Sequence, residues 1–261
     1  MQKQVDLSNP YRVTPGKKVT LSIMNQGEMP VDFSLIGTRA KSKVALRMTG
    51  GCKGMGPQDK LGLLEVGARI MFGYQGVYWS GGTRQADKHG MIDPMVTDLP
   101  GFVARDNPDC IALGSAPRTD TLGLVDGARL VLDGWGTSPN PDLEALLIVQ
   151  GDVNTALDWN GDLDTYFAIM QKWKQHAGFS AVGLMAWNGG AITEEEIMRS
   201  IALKWPTILF NGSGRITDEI SQKVLSGEVI GDHIYVVNKD DVEGARKVLI
   251  QCGFFPEGVT R

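Results

Sequence analysis

Long apolar runs, an excess of basic charge and paired cysteines are all missing from this 261-residue chain, and each absence closes a class of function. Nothing approaches the roughly 18 consecutive apolar residues that span a bilayer, and the polar, acidic start at residues 1–6 lacks the apolar core of a signal peptide. A cytoplasmic protein with no membrane partner is expected. The formal net charge is −4, from 26 basic and 30 acidic residues, so no broad basic face is offered to a polymeric nucleic acid. Any nucleotide bound here is small. Cys52, Cys110 and Cys252 lie far apart without C-x-x-C spacing, the pattern of free thiols in a reducing compartment. His89, His176 and His233 are isolated and form no metal-ligand motif. No metal or other cofactor is expected. A Walker A lysine, a complete G-x-G-x-x-G and a G-x-S-x-G elbow are also lacking, which removes support from kinase, dehydrogenase and serine hydrolase readings.

Apolar residues make up 42% of the chain, enough for one sizeable core, and many of the 33 glycines stand where a strand pattern gives way to a helix pattern. Residues 1–40 read as a β-hairpin extension. Val19, Leu21 and Ile23 alternate with polar neighbours, residues 25–30 are turn-rich, and 31–36 is again strand-like. From residue 41 to 261 the pattern becomes strand, glycine loop, helix, repeated. A strand at 44–48 leads through a loop at 49–54 into a helix carrying Leu61, Leu64, Ala68, Met71 and Phe72. Another at 76–79 leads through 80–83 into a short helical piece reaching Asp87 and His89. Residues 93–142 mix long loops with short strands at 110–113 and 129–132. Strands at 146–150, 182–186, 207–210 and 234–237 and helices at 163–174, 193–205, 216–226 and 242–250 complete the series. Such alternation specifies an α/β fold, an open and mostly parallel sheet with helices on both faces. Ligands of that architecture bind beyond the carboxyl ends of the strands, so the loops at 49–54, 80–83, 188–193 and 211–215 are expected to converge.

Two of these loops place small residues directly before a helix. In Gly212-Ser213-Gly214-Arg215, bare N–H groups at a helix start carry partial positive charge, Ser213 adds a hydroxyl donor, and Arg215 can add a charge-assisted bond. That is phosphate-cradle chemistry, although a tight strand-to-helix turn has the same composition. Asp218 either accepts from a ribose hydroxyl or favours the positive helix start. In the second loop, Asn188, Gly189 and Gly190 precede Thr193 and Glu196, and the last two fit a capping box. Spacing favours that capping role; the alternative is that Glu196 is a carboxylate serving a ribose centre as general base or electrostatic stabiliser. Ser80-Gly81-Gly82-Thr83 and Gly50-Gly51 allow close backbone approach to a ligand, with Thr83 a donor and Lys53 a nearby positive charge. Among Trp79, Trp135 and Trp187, the last adjoins Asn188 and is the foremost candidate to stack on a base.

These elements resemble a known family. Gly212-Ser213-Gly214-Arg215 with Asp218 is similar to the G-S-G-R-x-x-D element of the SLOG superfamily, especially the domain at the cytosolic N-terminus of melastatin-type TRP channels and its stand-alone prokaryotic relatives. Ser80-Gly81-Gly82-Thr83 resembles that family's earlier glycine-threonine loop, and the layout matches over about residues 43–250. The resemblance implies a Rossmann-like fold and a pocket for a nucleotide-derived ligand such as ADP-ribose. Residues 188–196 also resemble the P-G-G-x-G-T-x-x-E motif of the LOG phosphoribohydrolases, with Asn188 in place of the proline, Ile192 in place of the third glycine, and Glu196 at the catalytic carboxylate. The leading reading is therefore binding or sensing of a phosphorylated nucleoside derivative, and the alternative is hydrolysis of an N-glycosidic bond through Glu196. Homo-oligomerisation through exposed helices is compatible with either.

Overall fold

The computed structural model describes residues 20–25, 27–28, 31–86, 92–117, 123–125, 129–131, 137–140, 142–151 and 161–255. Its centre is an eight-stranded sheet in which every neighbouring pair is parallel. Strands β1 (Thr20–Asn25), β2 (Val44–Gly51), β3 (Val77–Ser80), β6 (Ile111–Pro117), β10 (Ala145–Gln150), β11 (Ala181–Asn188), β12 (Thr207–Asn211) and β13 (Ile234–Asn238) lie in the order β1-β10-β6-β3-β2-β11-β12-β13. Short antiparallel pieces β4 (Thr83–Ala86), β5 (Ile92–Asp93), β7 (Gly123–Val125), β8 (Arg129–Val131) and β9 (Thr137–Pro139) form two small accessory sheets.

The main strands are short runs of branched and aromatic residues buried on both faces, as a helix-covered parallel sheet requires. Along β2, Val44, Leu46 and Met48 enter one core while Ala45 enters the other. The first core is closed by α2 (Pro57–Ile70), α3 (Leu99–Asp106) and α7 (Val242–Gln251), through Leu63, Val103 and Leu249. Helices α1 (Val31–Thr38) and α4 (Leu163–His176) cover the opposite face, through Ile36, Tyr166 and Trp173. On that same face, α5 (Ala191–Ala202) and α6 (Arg215–Leu225) pack Ile197 and Ile220 against Leu184 and Leu209.

Strand order positions the site. From β2 the chain builds outward through β3, β6 and β10, then returns to lay β11 against the other side of β2 and builds outward again through β12 and β13. The reversal falls between β2 and β11, whose last paired residues are Gly50 with Trp187 and Gly51 with Asn188. A crevice opens at such a switch point because consecutive connections leave it in opposite directions.

Several local expectations are corrected. Residues 31–38 form a helix, not the returning strand of a hairpin, and β1 is an edge strand of the main sheet beside β10. Strand alternation would bury Leu35, yet it is 54% exposed while Ser34 and Ile36 are buried and Trp173 Nε1 donates to the Ser34 carbonyl at 2.9 Å. Packing on α4 thus overrides strand propensity. Residues 83–86 form β4, and the remainder of the helical piece expected there, with His89, lies outside the described residues. Helix α2 exists, but it buries Leu63, Gly67 and Ile70 and leaves Leu61 exposed. Helix α3 was not expected at all.

Candidate functional site

Two cavities flank the carboxyl ends of β2 and β11. The first is a cleft of about 570 Å³ between the start of α2 and the start of α6, lined by Lys53, Gln58, Trp187, Asn188, Gly212, Ser213, Gly214, Arg215, Lys239 and others. The second, about 260 Å³, is lined by Arg47, Thr49, Gly50, Gly81, Thr83, Ser115, Asp162, Tyr166, Thr193 and Glu196 with Met95, Pro117 and Ile192.

The first cleft is organised by backbone. Gly214 sits at φ 105° as the residue before α6, and no side chain caps that helix. The intrahelical pattern leaves the first N–H groups of any helix unpaired, and here they open beside the cleft. A Cβ at φ 105° is strained, so glycine is required. Arg215 (φ 49°) and Asn188 (φ 57°) also hold the left-handed conformation, which is uncommon for residues with a side chain. Asn188 is locked by its neighbours. Asn188 N donates to Ser213 Oγ at 2.9 Å, Thr217 Oγ1 donates to Asn188 O at 2.7 Å, and Asn188 Nδ2 donates to Lys53 O at 3.3 Å. Asp218 Oδ1 accepts from Gly212 N at 2.8 Å, so this carboxylate shapes the loop. Two buried polar atoms at the cleft, Trp187 Nε1 and Asn188 Oδ1, have no partner among the described residues. The Trp187 ring is 3% exposed and lies 5.2 Å from Phe210, so its face is occupied by core packing and not open to a base. Lys53, Arg215 and Lys239 stand against Asp59 and Asp240 on the rim, with Lys239 Nζ 2.8 Å from Asp240.

The second cavity is organised by side chains. Arg47 Nε lies 2.9 Å from Glu196 Oε1, and both residues are buried. The same oxygen accepts from Tyr166 OH, and Glu196 Oε2 accepts from Thr49 Oγ1. The guanidinium carbon sits 3.9 Å above the Tyr166 ring, a cation–π contact in a dry environment. Burial by itself would lower the Arg47 pKa, but facing Tyr166, Glu196 and Asp162 outweigh it and raise the value. Burial also pushes the Tyr166 phenol well above its ordinary range, with Glu196 adding to the effect. Asp162, beside α4, is pushed up to about 6, chiefly by burial, while Arg47 and a hydrogen bond from Ser115 pull the other way and Glu196 adds to the rise.

The expected ligand residues thus divide between two chambers. Trp187, Asn188, Gly212, Ser213, Gly214 and Arg215 border the first; Gly50, Gly81, Thr83, Thr193 and Glu196 border the second. Gly51, Gly189 and Gly190 lie on the chain between them. A Cβ on Gly50 would approach the Trp187 main-chain oxygen to 2.0 Å, and one on Gly190 would approach the Arg215 side chain at Nη2 to 2.9 Å, so main chain passes close at Gly50 and the guanidinium lies against Gly190. Ser80 and Gly82 stand behind the wall. Ser80 Oγ donates to Thr97 O at 2.8 Å, and Gly82 packs on Gly114. The capping box at the start of α5 does not form. Gly190 is the N-cap without a side-chain bond, and Thr193 and Glu196 are buried inside the helix. Among the other tryptophans considered, Trp79 is fully buried and Trp135 lies outside the described residues.

Sequence reasoning missed Arg47, Asp162, Tyr166 and Ser115. Arg47 did carry a signal: a lone charge inside the apolar run 44–48 must be paired when that strand is buried. Asp162 had none, since its burial comes from tertiary packing.

Residues 137–246 match the family model described as SLOG in TRPM, prokaryote. The match covers less than half of the chain, and it includes the loops at 188–193 and 211–215 from which the resemblance was drawn; the resemblance holds over that segment. In structure the chain is similar to TM1055, a structural-genomics target (20% identity, TM-score 0.47, covering 80% of this chain and 99% of that one). It is also similar to the molybdenum cofactor carrier protein of Chlamydomonas reinhardtii (15%, 0.45, 80% and 96%). A third similar structure is the molybdenum cofactor binding protein of the phototrophic bacterium Rippkaea orientalis (15%, 0.49, 81% and 97%). None of the curated proteins matches the sequence. Among the described residues, no helix is long and apolar enough to cross a membrane.

Proposed function

We propose, for a chain whose residues 137–246 carry a SLOG segment, that it binds a phosphorylated nucleoside derivative of the ADP-ribose type, with the phosphates at the start of α6. One observation carries the reading. An uncapped helix N-terminus, entered through Gly214 at φ 105°, opens onto a 570 Å³ cleft bordered by Lys53, Arg215 and Lys239. Backbone donors and the helix dipole favour an anion there, on a rim whose three cations outnumber Asp59 and Asp240. Asn188 Oδ1 and Trp187 Nε1 are buried and unpartnered among the described residues beside that cleft.

The hydrolytic reading keeps one observation in its favour, since Glu196 borders a cavity. Against it, Glu196 is held by Arg47, Thr49 and Tyr166, so its charge is already committed. Incubating the protein with nucleoside monophosphates, NAD and ADP-ribose, while following thermal stability and base release, separates the two. A raised melting temperature without released base is the expected result. Turnover that disappears in Glu196→Gln establishes the hydrolase instead, and an unchanged melting temperature across the panel overturns both.

A further inference from the structure

The wall of the first cleft that α2 supplies differs in kind from the one at α6. Met55, Gly62 and Leu63 make it apolar, with Gln58 and Asp59 nearer the start of the helix. Gln58 and Gly62 stand four residues apart, as do Asp59 and Leu63, so one face of α2 brings all four to the cleft. Leu63 is buried, and Met55 is half-buried against the same core. Asp59 is committed to the fold, because its Oδ2 accepts from Gly56 N at 3.2 Å. The Gln58 amide has no hydrogen bond to another described residue, which leaves a donor and an acceptor side by side at the edge of the wall.

Two glycines interrupt the interior of α2, and packing explains one of them. A Cβ on Gly67 would come within 2.5 Å of Leu99, so the helix needs glycine there to lie against the start of α3. A Cβ on Gly62 would meet nothing within 4 Å. Glycine weakens a helix interior relative to alanine, and no neighbour in the fold takes the space that Gly62 leaves. That space belongs to the cleft. A helix surface stripped of one side chain, beside a thioether and a leucine, is a flat apolar shelf of the kind on which a planar ring rests.

We propose that this shelf seats the heterocyclic base of the ligand whose phosphate lies at the start of α6, with the ring against Gly62, Met55 and Leu63 and its polar edge met by Gln58. This rests on the phosphate reading above. A glutamine amide complements the amino and ring-nitrogen edge of adenine, and a cleft of about 570 Å³ is of the size that encloses a whole small molecule.

The test is calorimetric titration of the full chain with inorganic pyrophosphate, ribose 5-phosphate and AMP. The last two differ in carrying a hydroxyl or the base on the sugar, so their ratio reads the shelf. The wild type is expected to bind AMP about tenfold or more tightly, the gain for a ring moved from water onto apolar surface. Gly62→Leu fills the open space with a better helix former, and should bring that preference under about threefold while pyrophosphate affinity stays within about twofold and the melting temperature does not fall. Gln58→Ala should reduce the preference by about threefold. Equal binding of AMP and ribose 5-phosphate by the wild type overturns the base seat, and so does a preference that survives in Gly62→Leu. In either case measurable pyrophosphate binding leaves the phosphate site standing. A parallel loss of pyrophosphate binding in Gly62→Leu also overturns the seat, because the substitution then acts through the phosphate site, and a preference unmoved by Gln58→Ala overturns the edge contact. If the wild type binds none of the three, the phosphate reading and this one fall together. The wild-type comparison needs no variant, so it decides even if a substituted protein fails to fold.

Discussion

The two chambers at the β2/β11 crevice reach polarity by opposite routes. In the first, main-chain geometry does it: glycines and left-handed residues turn N–H groups outward, and the rim charges are exposed to solvent. In the second, side chains do it, and they are buried, ion-paired and mutually bonded. A backbone site depends little on which side chains surround it but fails if one glycine gains a Cβ. A side-chain site has the reverse sensitivity. Removing one member leaves its partners charged and dry, with a penalty that falls on stability before it falls on binding.

The sharpest test of that contrast is Arg47→Ala. Stranding Glu196 and Asp162 without their cation should lower the free energy of unfolding by about 3–5 kcal/mol, read from urea denaturation. A loss under about 1 kcal/mol would mean that water reaches these carboxylates freely. Next in size, Gly214→Val should weaken pyrophosphate binding at least about 100-fold while costing only about 1–3 kcal/mol of stability. Titration and melting on the same sample check both halves. If stability falls and binding does not, the start of α6 is not the anion site.

Asp162 allows a subtler comparison. Its carboxyl is pushed up to about 6 from an ordinary value of 3.8, mainly by burial, so the folded state holds its proton more tightly than the unfolded state does. Its favourable contribution is therefore complete below about pH 4 and is lost as pH rises through about 6. Asp162→Asn should gain melting temperature relative to the parent by a few degrees between pH 4 and pH 7. A constant difference across that range shows that Asp162 ionises freely. The smallest effect expected is ionic. Raising salt from 0.05 to 0.5 M should weaken pyrophosphate binding several-fold, and an affinity that stays constant would mean that the rim cations do not face the anion.

Most of the architecture was legible because it is written in local signals. The runs at 44–48, 146–150, 182–186, 207–210 and 234–237 fall inside observed strands, and Gly227 follows the end of α6 as expected. The glycine loops were legible for the same reason, since the demand for small residues is local. What escaped depends on distance. The helix at 31–38 is selected by its fit to Trp173, a contact invisible in its own eight residues. Glu196 and Thr193 matched a capping motif by spacing, yet Gly190 holds the cap position and both side chains turn into the cavity. The partners of Glu196 come from positions 47, 49 and 166, so only the closed sheet brings them together.

The edge position of β1 has a consequence for how the chain matures. Thr20 stands in register opposite Ala145 in a parallel pair, so β1 waits without that neighbour until the chain has been extended as far as β10. Non-local closure of this kind slows folding. It also means that trimming the first forty residues would uncover the flank of β10, an open row of amide and carbonyl groups inviting self-association.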